Sequence, residues 1–230
     1  MAEVALVEIL NQARDELWDL DDSTTDADLW ASPLGRFVAA FQSLSEPQQG
    51  MRLLALFAAR RAVACWQLYC DDTTPLDGVH TAERVLDGSA PASDLQRFLL
   101  PANPSYRGVP IVDCRECDTS CAAAAVAHMA RLIMNAAPRD LAICISAADM
   151  ALDQSPLGRR DQFRRWLIET AIPAALDQRA LTAEETSRFR DFSPAEIEVD
   201  REAEHQPLPT KLRHRGGRGG SSGSEAASAG

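Results

Sequence analysis

Leu6, Leu10, Ala13, Leu17 and Leu20 recur at spacings of three and four, which predicts an amphipathic helix over residues 2–20. The next stretch, DLDDSTTDADLW, breaks the pattern and reads as an acidic loop with capping residues. Ser32-Pro33 is an N-cap followed by a first-turn proline, and Leu34, Phe37, Val38, Phe41 and Leu44 form the apolar stripe of a second helix. Ser45 and Gln48 repeat the start signal as a capping box. The third helix, about 47–70, is apolar on most faces between Leu53 and Val63, which predicts a central position. Thr74-Pro75 opens a fourth helix that Gly88 closes, and a short fifth lies near 91–100. Pro101, Pro104 and Pro110 make PANPSYRGVPIVD a loop, because no helix survives that spacing. Asp113 and Glu116 box the start of a sixth helix running to about Ala137. Pro138 begins a seventh with Leu141, Cys144, Ala148 and Leu152. An eighth spans about 159–179 with a kink at Pro173, and Thr182 with Glu185 caps a ninth. No segment alternates as a strand would. The pattern predicts an all-α fold: an irregular bundle of about eight helices over residues 1–192, with a disordered Pro/Arg/Gly/Ser-rich tail over 193–230.

Charge changes this picture. Of 230 residues, 34 are acidic and 23 basic, a net of −11. From His205 onward, Lys211, Arg213, Arg215 and Arg218 face only Glu225, so the tail is basic and the body before it more acidic than the total. Such a body repels nucleic acid and attracts basic partners; RGGRGG offers at most weak single-strand contact. The acid is concentrated at Asp15, Glu16, Asp19, Asp21, Asp22, Asp26 and Asp28. Asp19, Asp21, Asp22, Asp26 and Asp28 are therefore candidate contacts for a basic protein. The competing reading pairs this segment internally with Arg159, Arg160, Arg164 and Arg165. No apolar run is long enough to span a membrane. The opening MAEVALVEIL carries Glu3 and Glu8 instead of a basic leader, so a cytoplasmic location is expected.

Cys114, Cys117 and Cys121 are the main candidates for chemistry. Thiolates hold zinc or an iron–sulfur cluster, and His128 shares their stripe. Yet on one helix Cys114 and Cys121 would sit roughly 10 Å apart along the axis, at 1.5 Å per residue, too far for one zinc. Cys117 and Cys121 could share a metal, with Cys144 returning on the next helix. Cys114-x-x-Cys117 at a helix start could also be a redox pair, although no strand precedes it. The competing reading is a tightly packed seam of small apolar residues. His128 likewise reads either as a ligand or as a hydrogen-bonded core residue. G-x-S-x-G, G-x-x-x-x-G-K-[ST] and H-E-x-x-H are all absent, and no nucleophile, base and orienter can be named together. The expectation is a non-catalytic, cofactor-free protein, with a zinc or iron–sulfur protein as the alternative.

From Leu54 to about Leu152 the chain resembles a family of alanine-rich helical immunity proteins from bacterial toxin systems. The resemblance lies in AARRAVACWQLYCDD, with Arg60-Arg61 ahead of Trp66, then Pro75 and the helix TAERVLDG. It continues through Asp94-Leu95 and the alanine-rich helix bearing Ala127-His128. It covers a little under half the chain. What it implies is a non-catalytic protein that binds and blocks a cognate toxin.

Overall fold

A computed structural model describes residues 2–12, 16, 18–44, 47–69, 72–99, 115–154 and 159–189. The chain divides into two units, Met1–Phe192 and Ser193–Gly230. The proline-rich loop, the Ser45 and Asp113 capping boxes and the tail expectation all lie outside the described residues.

The fold is all-α, with no strand among the described residues. Its helices are α1 (Ala2–Gln12), α2 (Asp26–Ala31), α3 (Pro33–Gln42), α4 (Pro47–Tyr69) and α5 (Thr74–Leu86). After a 3-10 turn at Ala92–Phe98 come α6 (Arg115–Asn135), α7 (Pro138–Gln154), α8 (Arg160–Trp166), α9 (Ile172–Leu176) and α10 (Ala183–Ser187).

α4, α6 and α7 pack on one another as the central layer. Alanines let them approach closely: Ala55, Ala58, Ala59, Ala62, Ala122, Ala125, Ala130, Ala148 and Ala151 are all fully buried. α4 is central for the reason its composition predicts, since Leu53 through Ala59 are buried without interruption. α3 packs on α7, α1 on α3, α5 on α4 and α6, and α9 on α4.

The local signals account for most boundaries. Ser32 Oγ accepts from the Gly35 N–H at 3.0 Å and starts α3. A Cβ at Gly35 would meet the Leu29 carbonyl oxygen at 1.9 Å, so only glycine lets α2 and α3 meet at this corner. Gly88, at φ 81°, follows α5, and Ala136, at φ 55°, follows α6 ahead of Pro138. The predicted eighth helix carries a five-residue π turn at Leu167–Ala171, where the Ile172 N–H reaches the Leu167 carbonyl. Pro173 is the cause: its ring crowds the preceding turn and it has no N–H to donate.

The capping box at α10 is complete. Thr182 Oγ1 accepts from the Glu185 N–H, and Glu185 Oε2 accepts from the Thr182 N–H. Arg179 also donates to both Glu185 oxygens at 2.7 Å, and these contacts, the guanidinium foremost, hold the carboxyl down to about 2. Arg61, buried in α4, fixes this end of the domain. Its guanidinium lies 4.6 Å from the Trp166 ring centre and 4.9 Å from that of Phe189, and donates to the Thr186 carbonyl at 2.8 Å.

One predicted element is corrected. The first helix ends at Gln12, not residue 20; Trp18 and Leu20 are buried from a non-helical turn in which the Leu20 N–H reaches the Trp18 carbonyl at 3.0 Å. The helix α2 lies inside what reads as an acidic loop, with Thr25 as its N-cap.

Candidate functional site

The polar groups converge on residues 18–31, a strap laid along the α6–α7 hairpin and ending in α2. Its first anchor is Trp18, buried to 1%, with the Arg164 guanidinium 4.4 Å from its ring centre. Ser146, fully buried on α7, is the second. Its hydroxyl accepts from the Leu20 N–H at 2.7 Å and donates to the Trp18 carbonyl. The Leu20 N–H also reaches the Trp18 carbonyl at 3.0 Å, so the hydroxyl adds a second, long-range partner to each of these two backbone groups.

Beneath Trp18 lies a buried ion cluster. Asp149, with no exposed side-chain surface, accepts two bonds from Arg164, at 2.8 and 2.7 Å. Arg160 donates to the same carboxylate at 2.8 Å, to Asp153 at 2.8 Å and to strap residue Asp19 at 3.4 Å. The forked guanidinium geometry suits this sharing.

A second cluster holds the far half of the strap. Arg139, at the start of α7, donates to Asp26 Oδ1 at 2.5 Å and to the Thr24 carbonyl at 2.6 Å. Arg131 on α6 donates to Asp22 Oδ1 at 3.1 Å and to the Leu99 carbonyl at 3.1 Å. His128, buried beside it, faces Asp140 Oδ1 with Nδ1 at 2.8 Å and Asp22 Oδ1 with Nε2 at 3.3 Å.

The five acidic candidates therefore share one segment, and all five are exposed. Asp19, Asp22 and Asp26 each have an arginine partner on the body while leaving 53%, 60% and 78% of the side chain in solvent. Asp21 closes its own turn by accepting from Ser23 and Thr24. The Ser23 hydroxyl foremost keeps its carboxyl below the ordinary range. Asp28 accepts from Thr25 Oγ1 at 2.5 Å at the start of α2. Trp30 stands beside them, 38% exposed. The internal pairing read from the sequence is present for Arg160, whereas Arg164 bonds to Asp149 and Trp18.

The cysteines are placed differently. Cys114 lies outside the described residues, and Cys117 belongs to α6 with its side chain outside them. Cys121 is half-buried against the core, two turns before His128. The ring nitrogens of His128 face the two aspartates instead of a thiol. Among the described residues no group of three or more His, Cys, Asp or Glu is placed to hold a metal. Cys144 donates to the Ala125 carbonyl at 3.3 Å from full burial, and burial, aided by Asp140, pushes its thiol far above the usual range. It is a packing residue, not a nucleophile. An open groove of about 630 Å³ on the 3-10 turn is lined by Ser93, Asp94, Gln96 and Arg97.

Sequence reasoning missed Trp18, Arg131, Arg139, Asp140, Ser146 and Asp149 as site residues. Two of them carried a signal. Arg139 sits in the first turn of α7, where a cation opposes the helix dipole and so needs a specific partner. Asp149 is a lone acid within the apolar run ISAADMAL, where a charge must be paired.

No family model, no curated protein and no solved structure matches this chain. Among the described residues no helix is long and apolar enough to cross a membrane.

Proposed function

We propose that this chain is a non-catalytic protein-binding protein whose acidic strap docks a basic partner, and that the partner is a bacterial toxin that it neutralises. The observation that carries the reading is the way the strap is held. Asp19, Asp22 and Asp26 are pinned by arginines of the body, yet each keeps at least half of its side chain in solvent. A carboxylate fixed in place loses little freedom on binding, so its attraction for a cation is spent on affinity. An array of them raises the association rate of a basic partner and selects against acidic ones. Trp30 supplies an aromatic anchor of the kind that dominates binding energy at interfaces. The choice of a toxin comes from the resemblance over residues 54–152 alone.

The test is calorimetric titration against a panel of basic nuclease toxin domains. One of them is expected to bind, with affinity that falls as salt rises. Replacing Asp21 and Asp28, which make no ion pair among the described residues, by lysine should weaken that binding roughly a hundredfold, as expected for like charges brought into an interface. The melting temperature should fall by no more than about 8 °C, the loss of the Asp21 turn contacts and of the Asp28–Thr25 bond at about 1 kcal/mol each. Absence of binding across the panel, or binding indifferent to the double substitution, would refute the reading.

A further inference from the structure

We propose that Arg61 and Trp166 form a peptide-binding seat, occupied in this structure by the chain's own arm of residues 180–189, and that the seat takes a short helical turn followed by an aromatic residue. The inference does not rest on the binding reading above.

The arm is braced on itself and attached sparingly to the body. The Thr182–Glu185 capping box and the fork of Arg179 on Glu185 close it internally. α10 buries none of its own residues. Leu181 is half-buried against the core, and Phe189, 1% exposed, is the one buried side chain among residues 180–189. The arm leaves α9 by way of Gln178, whose φ of 52° ends that helix and makes the arm a separate unit.

The body holds the arm as it would hold a peptide. Trp166, the last residue of α8, donates its Nε1–H to the Glu185 carbonyl at 3.1 Å. Arg61 donates to the next carbonyl, that of Thr186, at 2.8 Å. Both oxygens belong to the last turn of α10, where so short a helix has no N–H of its own to offer them. These two bonds go to backbone, so other side chains at those positions would keep them. The side chain that is selected is Phe189. Its ring meets Trp166 edge-on at 5.9 Å and lies 4.9 Å from the Arg61 guanidinium, which also covers Trp166 at 4.6 Å. Main-chain bonds that give affinity and one pocket that gives specificity are the working parts of a peptide-recognition site. With the arm in place, Arg61 and Trp166 are each 3% exposed, so the arm is what closes the seat.

The test follows hydrogen exchange of the Trp166 indole proton in the full chain. In the unaltered chain it is expected to exchange at least about tenfold faster than the slowest α4 amides, through an opening in which the arm lifts and the body stays folded. Phe189→Ala is expected to speed it at least about tenfold more while the α6 and α7 amides keep their rates. Phe189→Leu serves the same purpose where the alanine variant does not fold. A synthetic peptide of residues 177–189, added at millimolar concentration to the variant, is expected to slow the indole proton again in a saturable manner. It supplies in trans what the tether supplies at high effective concentration. The same peptide carrying Phe189→Ala is expected to have no effect. Two results would each overturn the proposal. One is an indole proton that exchanges in the unaltered chain only together with the slowest core amides, which would make the arm part of the core. The other is a variant whose indole exchange the peptide leaves unchanged.

Discussion

Asp149→Ala is expected to destabilise the domain by about 3–5 kcal/mol, the cost of stranding a buried charge. The carboxylate has no exposed surface and accepts three bonds from two arginines. Without it, Arg164, whose side chain is 5% exposed, loses two charge-assisted hydrogen bonds in a buried setting. Arg160 loses one of its three carboxylates but keeps Asp153 and Asp19. Most of the loss therefore falls on Arg164 and, through it, on Trp18. Urea unfolding measures the effect. The double variant Asp149→Leu, Arg164→Met removes both charges and should recover a large part of the stability, because an apolar pair carries no desolvation cost. A single-variant loss below about 1 kcal/mol would mean that the cluster is open to water and does not anchor the strap.

The boundaries that short-range chemistry sets were legible from sequence. Ser32-Pro33, Thr74-Pro75, Pro138 and the Thr182–Glu185 box all mark the helix starts found in the structure. Each depends on residues within four positions of one another. The strap was not legible, and its misreading has a definite cause. Leu17 and Leu20 continue the three-and-four spacing of α1, so periodicity carries the helix on to residue 20. Periodicity reports that a side chain is buried, not by which backbone. Leu20 is buried from a non-helical turn, and its N–H reaches Ser146, 126 residues away, as well as the Trp18 carbonyl. α2 was hidden for another reason, since six residues are too few to establish a period.

The acidic segment shows the same limit at the level of the site. Its charge was legible, and so was its pairing with Arg160. Its contacts with Arg131, Arg139 and His128 were not, because they bridge more than a hundred residues and depend on how α6 and α7 turn about Ala136. For the cysteines, the spacing argument about Cys114 falls on a residue outside the described ones, while Cys144 is fully buried between α4 and α6, donating toward the Ala55 and Ala125 carbonyls.

Trp18→Ala is expected to cost about 3–5 kcal/mol, as large aromatic truncations in a core do. The ring is 1% exposed and lies against Arg164, so its loss leaves both a cavity and an uncovered guanidinium. The effect should not be purely global. Residues 18–26 should lose exchange protection before the α4, α6 and α7 core does, because Trp18 is the larger of the two buried apolar side chains, with Leu20, that hold the strap's first half. Trp18→Phe keeps a ring in place and should cost less than half as much. If Trp18→Ala left strap protection and stability unchanged, the ring would be a passenger and the arginines alone would hold the segment.

The function proposed for this chain depends on residues 18–26 being a fixed part of the helical body. The measurement that tests this most directly is the exchange rate of the Leu20 amide in the unaltered chain at neutral pH. With its N–H buried and bonded to Ser146, the amide is expected to be protected at least about a thousandfold over an unstructured peptide, in the manner of a core element. Exchange within about tenfold of the unstructured rate would show the segment moving as a free acidic loop, and would contradict the preorganised acidic face.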